Sequence, residues 1–247
     1  MGNDQHLRKQ GIALITGAAR RIGKAMAGHL AAGGWDIAIH FNRSTDEAET
    51  FARQLAGHYS GQSFMIFQAD LHSAEETERL VPRVIEKMGK PRLLINNASV
   101  FDPGTLSGTS TGFFDRQMGV NLRAPFILMR EFINLCEEGV IINMADTRIT
   151  GNRQEHAAYT LSKKALWELT KMAAAAYGPS VRVNAIAPGL TLPPEGKGEA
   201  YLQKLSERIP MKKPGGIRPI LNSLDYILKN DYLTGQLFFC DGGEHLI

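Results

Sequence analysis

The 247-residue chain contains little cysteine, no block of residues of one charge and no long apolar run. Its two cysteines, Cys136 and Cys240, exclude a disulfide framework and a cysteine-based metal site. We expect them to be small buried hydrophobic side chains in a reducing compartment. The formal net charge is +3 with the signs interspersed, and the pair Arg20-Arg21 is too short to form a nucleic-acid-binding stripe.

The N-terminal residues also lack the marks of a targeting segment or a lipid anchor. MGNDQHLRKQ is polar and has no apolar signal core, and His6 stands where a myristoylation motif has Ser or Thr. No apolar run approaches the roughly 20 residues that are needed to span a bilayer. We therefore expect a soluble, cytoplasmic protein that acts on a small molecule and has no nucleic-acid, membrane or metal partner.

Short apolar runs alternate with longer helical patterns along the chain. Strands are predicted at residues 12–16, 37–41, 63–69, 93–96, 140–144, 181–187 and 237–239. Helices are predicted at residues 21–34, 45–59, 73–89, about 111–138 and 157–177. Pro82 predicts a kink or a break in the third helix, and Pro125 a bend in the fourth. The pattern predicts an α/β fold, a doubly wound parallel sheet covered by helices on both faces.

We expect a single domain over residues 1–247. Its cofactor-binding half would span about residues 11–150, followed by a catalytic helix and a substrate lid over about 151–216. Residues 188–216 are irregular and rich in Pro and Gly, which predicts a mobile loop with a short helix over the strand ends.

The first predicted strand leads directly into TGAARRIG (16–23). Gly17 would allow a tight turn and Gly23 a close approach of helix and strand, so that the helix N-terminus can face a pyrophosphate. The run is not the G-x-G-x-x-G pattern, and a tight turn without a ligand remains an alternative.

The end of the second strand indicates which cofactor is bound. HFNRS (40–44) has no carboxylate for a ribose 2′-hydroxyl, whereas Arg43 and Ser44 offer a cation and a hydroxyl to a 2′-phosphate, with Arg20 nearby. We predict NADPH rather than NADH, against the alternative of a solvated Arg43. Asp70, after the third strand, is either an adenine contact or an N-cap. The small and amide residues of NNAS (96–99) suit the ribose and nicotinamide.

Tyr159 and Lys163 lie at i and i+4 of a predicted helix and therefore share one face. A tyrosine has an ordinary pKa of about 10, and a nearby ammonium is expected to lower it toward neutrality. Tyr159 would then donate a proton to a carbonyl or an imine that accepts a hydride. Asp146, thirteen residues before Tyr159, adds a carboxylate, although an acid that only caps a turn remains an alternative.

Nearly the whole chain resembles the short-chain dehydrogenases/reductases. The resemblance rests on TGAARRIG, NNAS, Asn121 in NLRAPF, the pair Tyr159 and Lys163, PGL (188–190) and DGG (241–243). Three departures from the family pattern resemble the pteridine reductases and dihydromonapterin reductases. Arg21 replaces the middle glycine of TGxxxGxG, Asp146 replaces the usual serine, and NNAS is followed closely by Phe101. The alternatives are a surface Arg21 and a core Phe101.

The resemblance implies that an NADPH-dependent reductase transfers hydride to a dihydropterin through Asp146, Tyr159 and Lys163. It implies substrate contacts from Arg21, Ser99, Phe101, Asp146 and Tyr159. The implied cofactor contacts are Gly17, Arg20, Arg21, Ile22, His40, Asn42, Arg43, Ser44, Asp70, Leu71, Asn97, Ala98, Ser99, Asn121, Tyr159, Lys163, Pro188, Gly189 and Leu190. It also implies a homo-oligomer, in particular a tetramer. A ketone or 3-oxoacyl thioester reductase and a non-catalytic NADPH sensor remain alternatives.

Overall fold

The computed structural model describes residues 10–152, 154–194 and 196–247, so the expectations for residues 1–9, including His6, lie outside the described residues. Its seven strands are β1 (Gly11–Ile15), β2 (Trp35–Phe41), β3 (Phe64–Gln68), β4 (Leu93–Asn96), β5 (Gly139–Met144), β6 (Val181–Pro188) and β7 (Leu237–Cys240). All seven pair in parallel in the order β3-β2-β1-β4-β5-β6-β7, which confirms the predicted doubly wound sheet.

Helices cover both faces of this sheet. They are α1 (Arg21–Ala32), α2 (Thr45–His58), α3 (Ala74–Met88), α4 (Thr111–Met118), α5 (Ala124–Cys136), α6 (Ala157–Tyr177), α7 (Glu199–Ser206) and α8 (Arg218–Lys229). A hydrophobic core lies on each face of the sheet, and alternate residues of β1 belong to one or the other. Ala13 and Ile15 pack with α1, α2 and α8, whereas Ile12 and Leu14 pack with α3, α5 and α6. Burial on both faces explains why the strands are continuous apolar runs.

Three helical regions differ from the prediction. Helix α3 is continuous across Pro82, so the predicted break is wrong; Pro82 is exposed, where water can satisfy the freed carbonyl group. The region expected over about 111–138 consists of α4, a π-helical segment Gly119–Arg123, and α5, in which Pro125 occupies the first turn. Helix α8 was not predicted, although Ile220, Leu224 and Ile227 give it an apolar face at helical spacing.

Strand β1 pairs with β2 on one side and with β4 on the other. The chain adds β2 and β3 on one side of β1 and then returns to place β4 on the other side. Ligands of such sheets bind at the carboxyl ends of the two strands that flank this switch point, here β1 and β4. Within the described residues, no helix is both long and apolar enough to cross a bilayer.

Candidate active site

The turn after β1 has the close packing that its glycines suggest. Gly17 has φ +64°, in the left-handed region that favours glycine. A side chain at Gly23 would place its Cβ atom 2.2 Å from the carbonyl oxygen of Gly17 and 2.5 Å from the Asn97 amide nitrogen. Arg21 takes φ +52°, which explains why a glycine is usual at that position in the family pattern. The start of α1 is thereby held against the end of β4.

One hydroxyl group connects the ends of β1 and β4. Thr16 Oγ1 accepts hydrogen bonds from the backbone N–H groups of Asn97 and Ala98, each at 2.9 Å. The Asn97 side-chain amide donates in return to the Thr16 carbonyl oxygen at 2.8 Å. The two halves of the expected cofactor site therefore form one hydrogen-bonded unit.

His40 stabilises the same turn from β2. Its Nδ1 accepts the Gly17 N–H at 3.0 Å, which leaves Nε2–H to donate to the Ala69 carbonyl oxygen at 3.1 Å. Burial lowers the pKa of His40 to about 4, so the imidazole is neutral near pH 7. Although His40 was predicted as a cofactor contact, both of its ring nitrogens are engaged within the protein.

A cavity of about 400 Å³ lies over the ends of β2 and β3, and we call it the β2-side cavity. Its lining residues are Gly17, His40, Asn42, Arg43, Asp70, Leu71, His72, Ala98, Ser99, Val100, Arg116 and Val120. The Asp70 carboxylate accepts from the Asn42 amide at 3.2 Å and from the His72 N–H at 2.9 Å. Ser73, not Asp70, caps α3, so the N-cap interpretation of Asp70 is wrong.

Only one of the three side chains that were predicted to contact a 2′-phosphate group lines this cavity. Arg43 is exposed and lines the cavity, whereas Arg20 and Ser44 do not. The Arg20 guanidinium instead lies 3.5 Å from the Glu47 carboxylate in the first turn of α2. Ser44 immediately precedes α2, although its hydroxyl makes no capping hydrogen bond.

A second cavity, of about 390 Å³, lies over the ends of β1, β4, β5 and β6, and we call it the catalytic cavity. Its lining residues are Arg21, Ile22, Asn97, Ser99, Phe101, Met144, Ala145, Asp146, Arg148, Tyr159, Lys163, Pro188, Gly189, Leu190, Thr191, Leu192, Pro194, Tyr201, Leu202 and Leu205. All five predicted substrate contacts are among them. Ser99 lines both cavities, so the two adjoin at the end of β4.

The three predicted catalytic side chains converge in the catalytic cavity. The Tyr159 hydroxyl donates to Asp146 Oδ2 at 2.6 Å, and the other carboxylate oxygen accepts the Arg148 backbone N–H at 2.8 Å. Asp146 therefore caps a turn and contacts the tyrosine at the same time. The Lys163 ammonium donates to the Met144 carbonyl oxygen at 2.7 Å. The phenol and the carboxylate share one proton at the edge of the cavity.

The pKa of Tyr159 differs from the expectation. Burial, the negative charge of Asp146 and the hydrogen bond to that carboxylate raise the pKa well above its ordinary value. Arg148 and the Ser99 hydroxyl lower it by less, and Lys163 is not among the causes. The prediction that this pKa is lowered toward neutrality is wrong for this structure, because burial and Asp146 outweigh the groups that lower it. Tyr159 therefore keeps its proton near neutral pH.

Burial of the charged Lys163 side chain lowers the free energy of unfolding. Its side chain is 3% exposed, and burial lowers the pKa from 10.5 to about 8. The unfolded chain therefore binds more protons than the folded chain between about pH 8 and 10.5, so stability rises with pH across that window. Below pH 8 the full penalty applies, and the shift corresponds to about 3 kcal/mol.

We expect Lys163→Met to raise the free energy of unfolding at pH 7 by about 1–3 kcal/mol, because it removes a buried charge. The gain should shrink by about 2 kcal/mol between pH 7 and 9.5, where the wild-type lysine becomes neutral. Urea unfolding at the two pH values measures both quantities. Lys171→Met, on the exposed face of the same helix, is the control and should change little. A Lys163→Met variant that is less stable at pH 7 would contradict the buried charge.

Phe101 lies beside the catalytic tyrosine at the entrance of the cavity. Its ring is 47% exposed, meets the Tyr159 ring edge-on at 4.6 Å, and stacks on His156 at 4.1 Å with an interplanar angle of 13°. The interpretation of Phe101 as a core aromatic is therefore wrong. His156 supports one face of this ring.

Asn121 is fully buried in the π-helical segment and lines neither cavity. Its carbonyl oxygen accepts from the Ser99 hydroxyl and the Val100 N–H, both at 3.0 Å, and its amide donates to the Val100 carbonyl oxygen and to Ser162. It therefore positions the residues after β4, whereas the prediction placed it among the cofactor contacts.

The loop that carries Asp146 is also held by a contact that was not predicted from the sequence. The Thr147 hydroxyl donates to the Asp241 carboxylate at 2.6 Å, and the same carboxylate accepts N–H groups from Gly243 and His245. Asp241 is 5% exposed, and its Cβ atom would lie 2.7 Å from a side chain at Gly189. DGG was recognised only as a motif, and no local signal indicates its partner 94 residues away.

Other features of the described residues do not compete with this site. A cavity of about 910 Å³ is lined by residues at the amino ends of the strands, such as Trp35, Gly139 and Val140, far from the catalytic side chains. No group of three or more His, Cys, Asp or Glu side chains is arranged to hold a metal ion in residues 10–152, 154–194 and 196–247.

The chain is similar to known reductases over nearly its whole length. A family model described as enoyl-(acyl carrier protein) reductase matches residues 17–245. The chain is 31% identical over 241 residues to a dihydromonapterin reductase of Klebsiella pneumoniae subsp. pneumoniae, covering 94% of this chain and 96% of that protein. It is 26% identical to a 3-oxoacyl-[acyl-carrier-protein] reductase of Staphylococcus epidermidis, covering 95% and 98%.

A solved structure extends the similarity to three dimensions. FolM alternative dihydrofolate reductase 1 from Brucella suis, crystallised in complex with NADP, superposes with a TM-score of 0.88. The two chains are 36% identical, and the match covers 96% of each.

Proposed function

We propose that this chain, which belongs to the short-chain dehydrogenase/reductase family, reduces a dihydropterin with NADPH. The observation that carries the proposal is the 2.6 Å hydrogen bond from Tyr159 to Asp146. Ketone reductases of this family are expected to have a serine hydroxyl at that position, which donates to a carbonyl oxygen. A carboxyl group suits a substrate whose ring nitrogen must receive a proton.

The cofactor fits the residues that are present. Arg21 and Ile22, the first residues of α1, line the catalytic cavity, so the positive end of that helix lies at its wall. Asn97, Ser99, Lys163 and Pro188–Leu190 line the same cavity and would hold the nicotinamide end, whereas the β2-side cavity would hold the adenosine end. When bound, NADPH supplies the hydride.

The chain's own residues supply the proton and the orientation. Reduction of a C=N bond places hydride on carbon and requires a proton on the adjacent nitrogen. Tyr159 and Asp146 hold a proton between two oxygen atoms in the cavity, and Tyr159 keeps its proton near neutral pH. A flat ring that packs against the half-exposed Phe101 side chain would lie next to this pair, because the Phe101 and Tyr159 rings are 4.6 Å apart.

The preference for NADPH rests on Arg43. We expect Arg43→Ala to raise the KM for NADPH by about 10- to 100-fold and to leave the KM for NADH nearly unchanged, because only NADPH carries the 2′-phosphate group. Initial rates with both cofactors measure this, with Arg79→Ala on the exposed face of α3 as the control. A wild-type preference for NADH would contradict the assignment.

The function is tested by following NADPH oxidation with dihydromonapterin, dihydrobiopterin, dihydrofolate and an acetoacetyl thioester. We expect turnover with at least one dihydropterin and none with the thioester. Turnover with the thioester alone would favour the 3-oxoacyl thioester reductase. Tight NADPH binding without turnover of any of the four compounds would favour the non-catalytic sensor.

We also propose a homotetramer, which rests on family resemblance and on an exposed apolar surface. Phe126 of α5 is 51% exposed and Met172 of α6 is 69% exposed, and both line a shallow cavity between these helices and α4. Sedimentation should give a mass of four times the chain mass of 27.2 kDa; a monomer at micromolar concentration would refute this assembly.

Three other expectations stay predictions: the single-domain division, the cytoplasmic location and the absence of nucleic-acid partners.

A further inference from the structure

Arg148 lines the catalytic cavity and is not among the predicted site residues. It belongs to the 3-10 helix Thr147–Thr150, and its backbone N–H donates to Asp146. Its half-buried side chain lines the cavity, and the guanidinium carbon lies 5.2 Å from the centroid of the Phe101 ring. The positive charge is therefore held over the Phe101 ring, at the wall of the cavity in which a substrate would lie.

The other charged groups that line this cavity are already engaged. Arg21 and Lys163 each donate to a backbone carbonyl oxygen, at 3.0 and 2.7 Å, and Asp146 accepts from Tyr159. Arg148 has no carboxylate within ion-pair distance in the part of the chain that the structure describes. A half-buried guanidinium group without an anion is a site at which a ligand anion gains a charge-assisted hydrogen bond.

The cofactor phosphates are not the natural partner of Arg148. The pyrophosphate group belongs at the start of α1, which follows β1, whereas Arg148 follows β5. Strand β4 lies between β1 and β5, so the two strands are about 10 Å apart. Arg21 is on the cofactor side of this gap, and Arg148 lies beside Phe101 on the substrate side.

We propose that Arg148 is a specificity-determining residue that binds an acidic group on the substrate side chain. The proposal rests on the function proposed above and names its substrate class: dihydropterins whose C6 side chain carries a carboxylate or a phosphate group. Both groups present paired oxygen atoms that match the guanidinium fork, and the substrates below distinguish them.

The test compares dihydromonapterin, which has a neutral side chain, with its phosphate ester and with dihydrofolate, which carries carboxylates. We expect Arg148→Gln to lower the ratio of kcat/KM for the acidic substrate to kcat/KM for dihydromonapterin by about 10- to 100-fold. Arg148→Lys should restore part of this ratio because it keeps the charge. Arg79→Gln, a surface change on α3, should leave the ratio unaltered.

The outcomes distinguish a failure of the role of Arg148 from a failure of the proposed function. A fall in the ratio for the phosphate ester alone, or for dihydrofolate alone, supports the inference and identifies the acidic group. If wild type reduces dihydromonapterin and Arg148→Gln weakens neutral and acidic substrates equally, the inference is overturned and the proposed function stands. If wild type reduces none of the three, the proposed function fails and the inference fails with it.

Discussion

Replacing Tyr159 with phenylalanine is expected to lower dihydropterin reduction by about 10²- to 10⁴-fold, because the substrate nitrogen loses its proton donor. The hydroxyl is the only group that the change removes, and its oxygen lies 2.6 Å from the carboxylate that completes the donor pair. The ring itself stays, so the edge-on contact with Phe101 at 4.6 Å is preserved. The loss should therefore appear in kcat rather than in KM.

Initial rates with saturating NADPH measure the loss, and fluorescence titration of NADPH checks that cofactor binding changes by less than about threefold. Tyr177→Phe is a matched control, since it makes the same change at an exposed position of the same helix. A Tyr159→Phe variant that keeps a tenth of the wild-type kcat would show that another group delivers the proton.

Replacing Asp146 with asparagine is expected to reduce dihydropterin turnover by about 10²- to 10³-fold. Asparagine keeps the shape and can still accept from Tyr159, but its amide cannot hold the shared proton as a carboxyl group can. Asp146→Ser, which restores the residue usual in the family, should lose pterin turnover to a similar extent. NADPH binding should persist in both variants because Asp146 lies at the end of β5, away from the turn after β1.

A second readout separates the charge of Asp146 from its shape. The carboxylate raises the pKa of Tyr159 by its charge and by its hydrogen bond, so Asp146→Asn should move that pKa downward, although burial still keeps it above the ordinary value. The pH at which the phenol ionises can be followed by ultraviolet absorbance in a titration. Asp115→Asn, an exposed change on α4, serves as the control. An unchanged pterin rate in Asp146→Asn would refute the role of Asp146.

The strands were the most predictable part of the fold. LLIN was placed at the residues that form β4, and the other strands were placed to within one or two residues at each end. Burial on both faces makes such strands short, continuous apolar runs, which are visible without any tertiary information. The π-helical segment between α4 and α5 was harder to predict, because such a segment has no distinct composition.

The site was predictable where its geometry is local. The turn after β1, the residues after β4 and the pair on α6 occupy fixed positions relative to their strands and helices. Most of their predicted residues therefore line the two cavities, whereas Arg20 lines neither. The role of Arg148 and the pKa direction of Tyr159 depend on side-chain orientation across separate elements. The sequence placed an ammonium one helical turn from a phenol, and it could not show that the ammonium is bound to a carbonyl oxygen on β5.

The contact between Thr147 and Asp241 also has a consequence for the order of folding. It joins residues 94 positions apart and docks the turn after β7 against the loop that carries Asp146. Contacts of such sequence separation are entropically slow to form, whereas helices form early. During refolding, far-ultraviolet circular dichroism should therefore recover before activity. A partly folded chain with most of its sheet in place would be a catalytically silent intermediate until β7 pairs with β6.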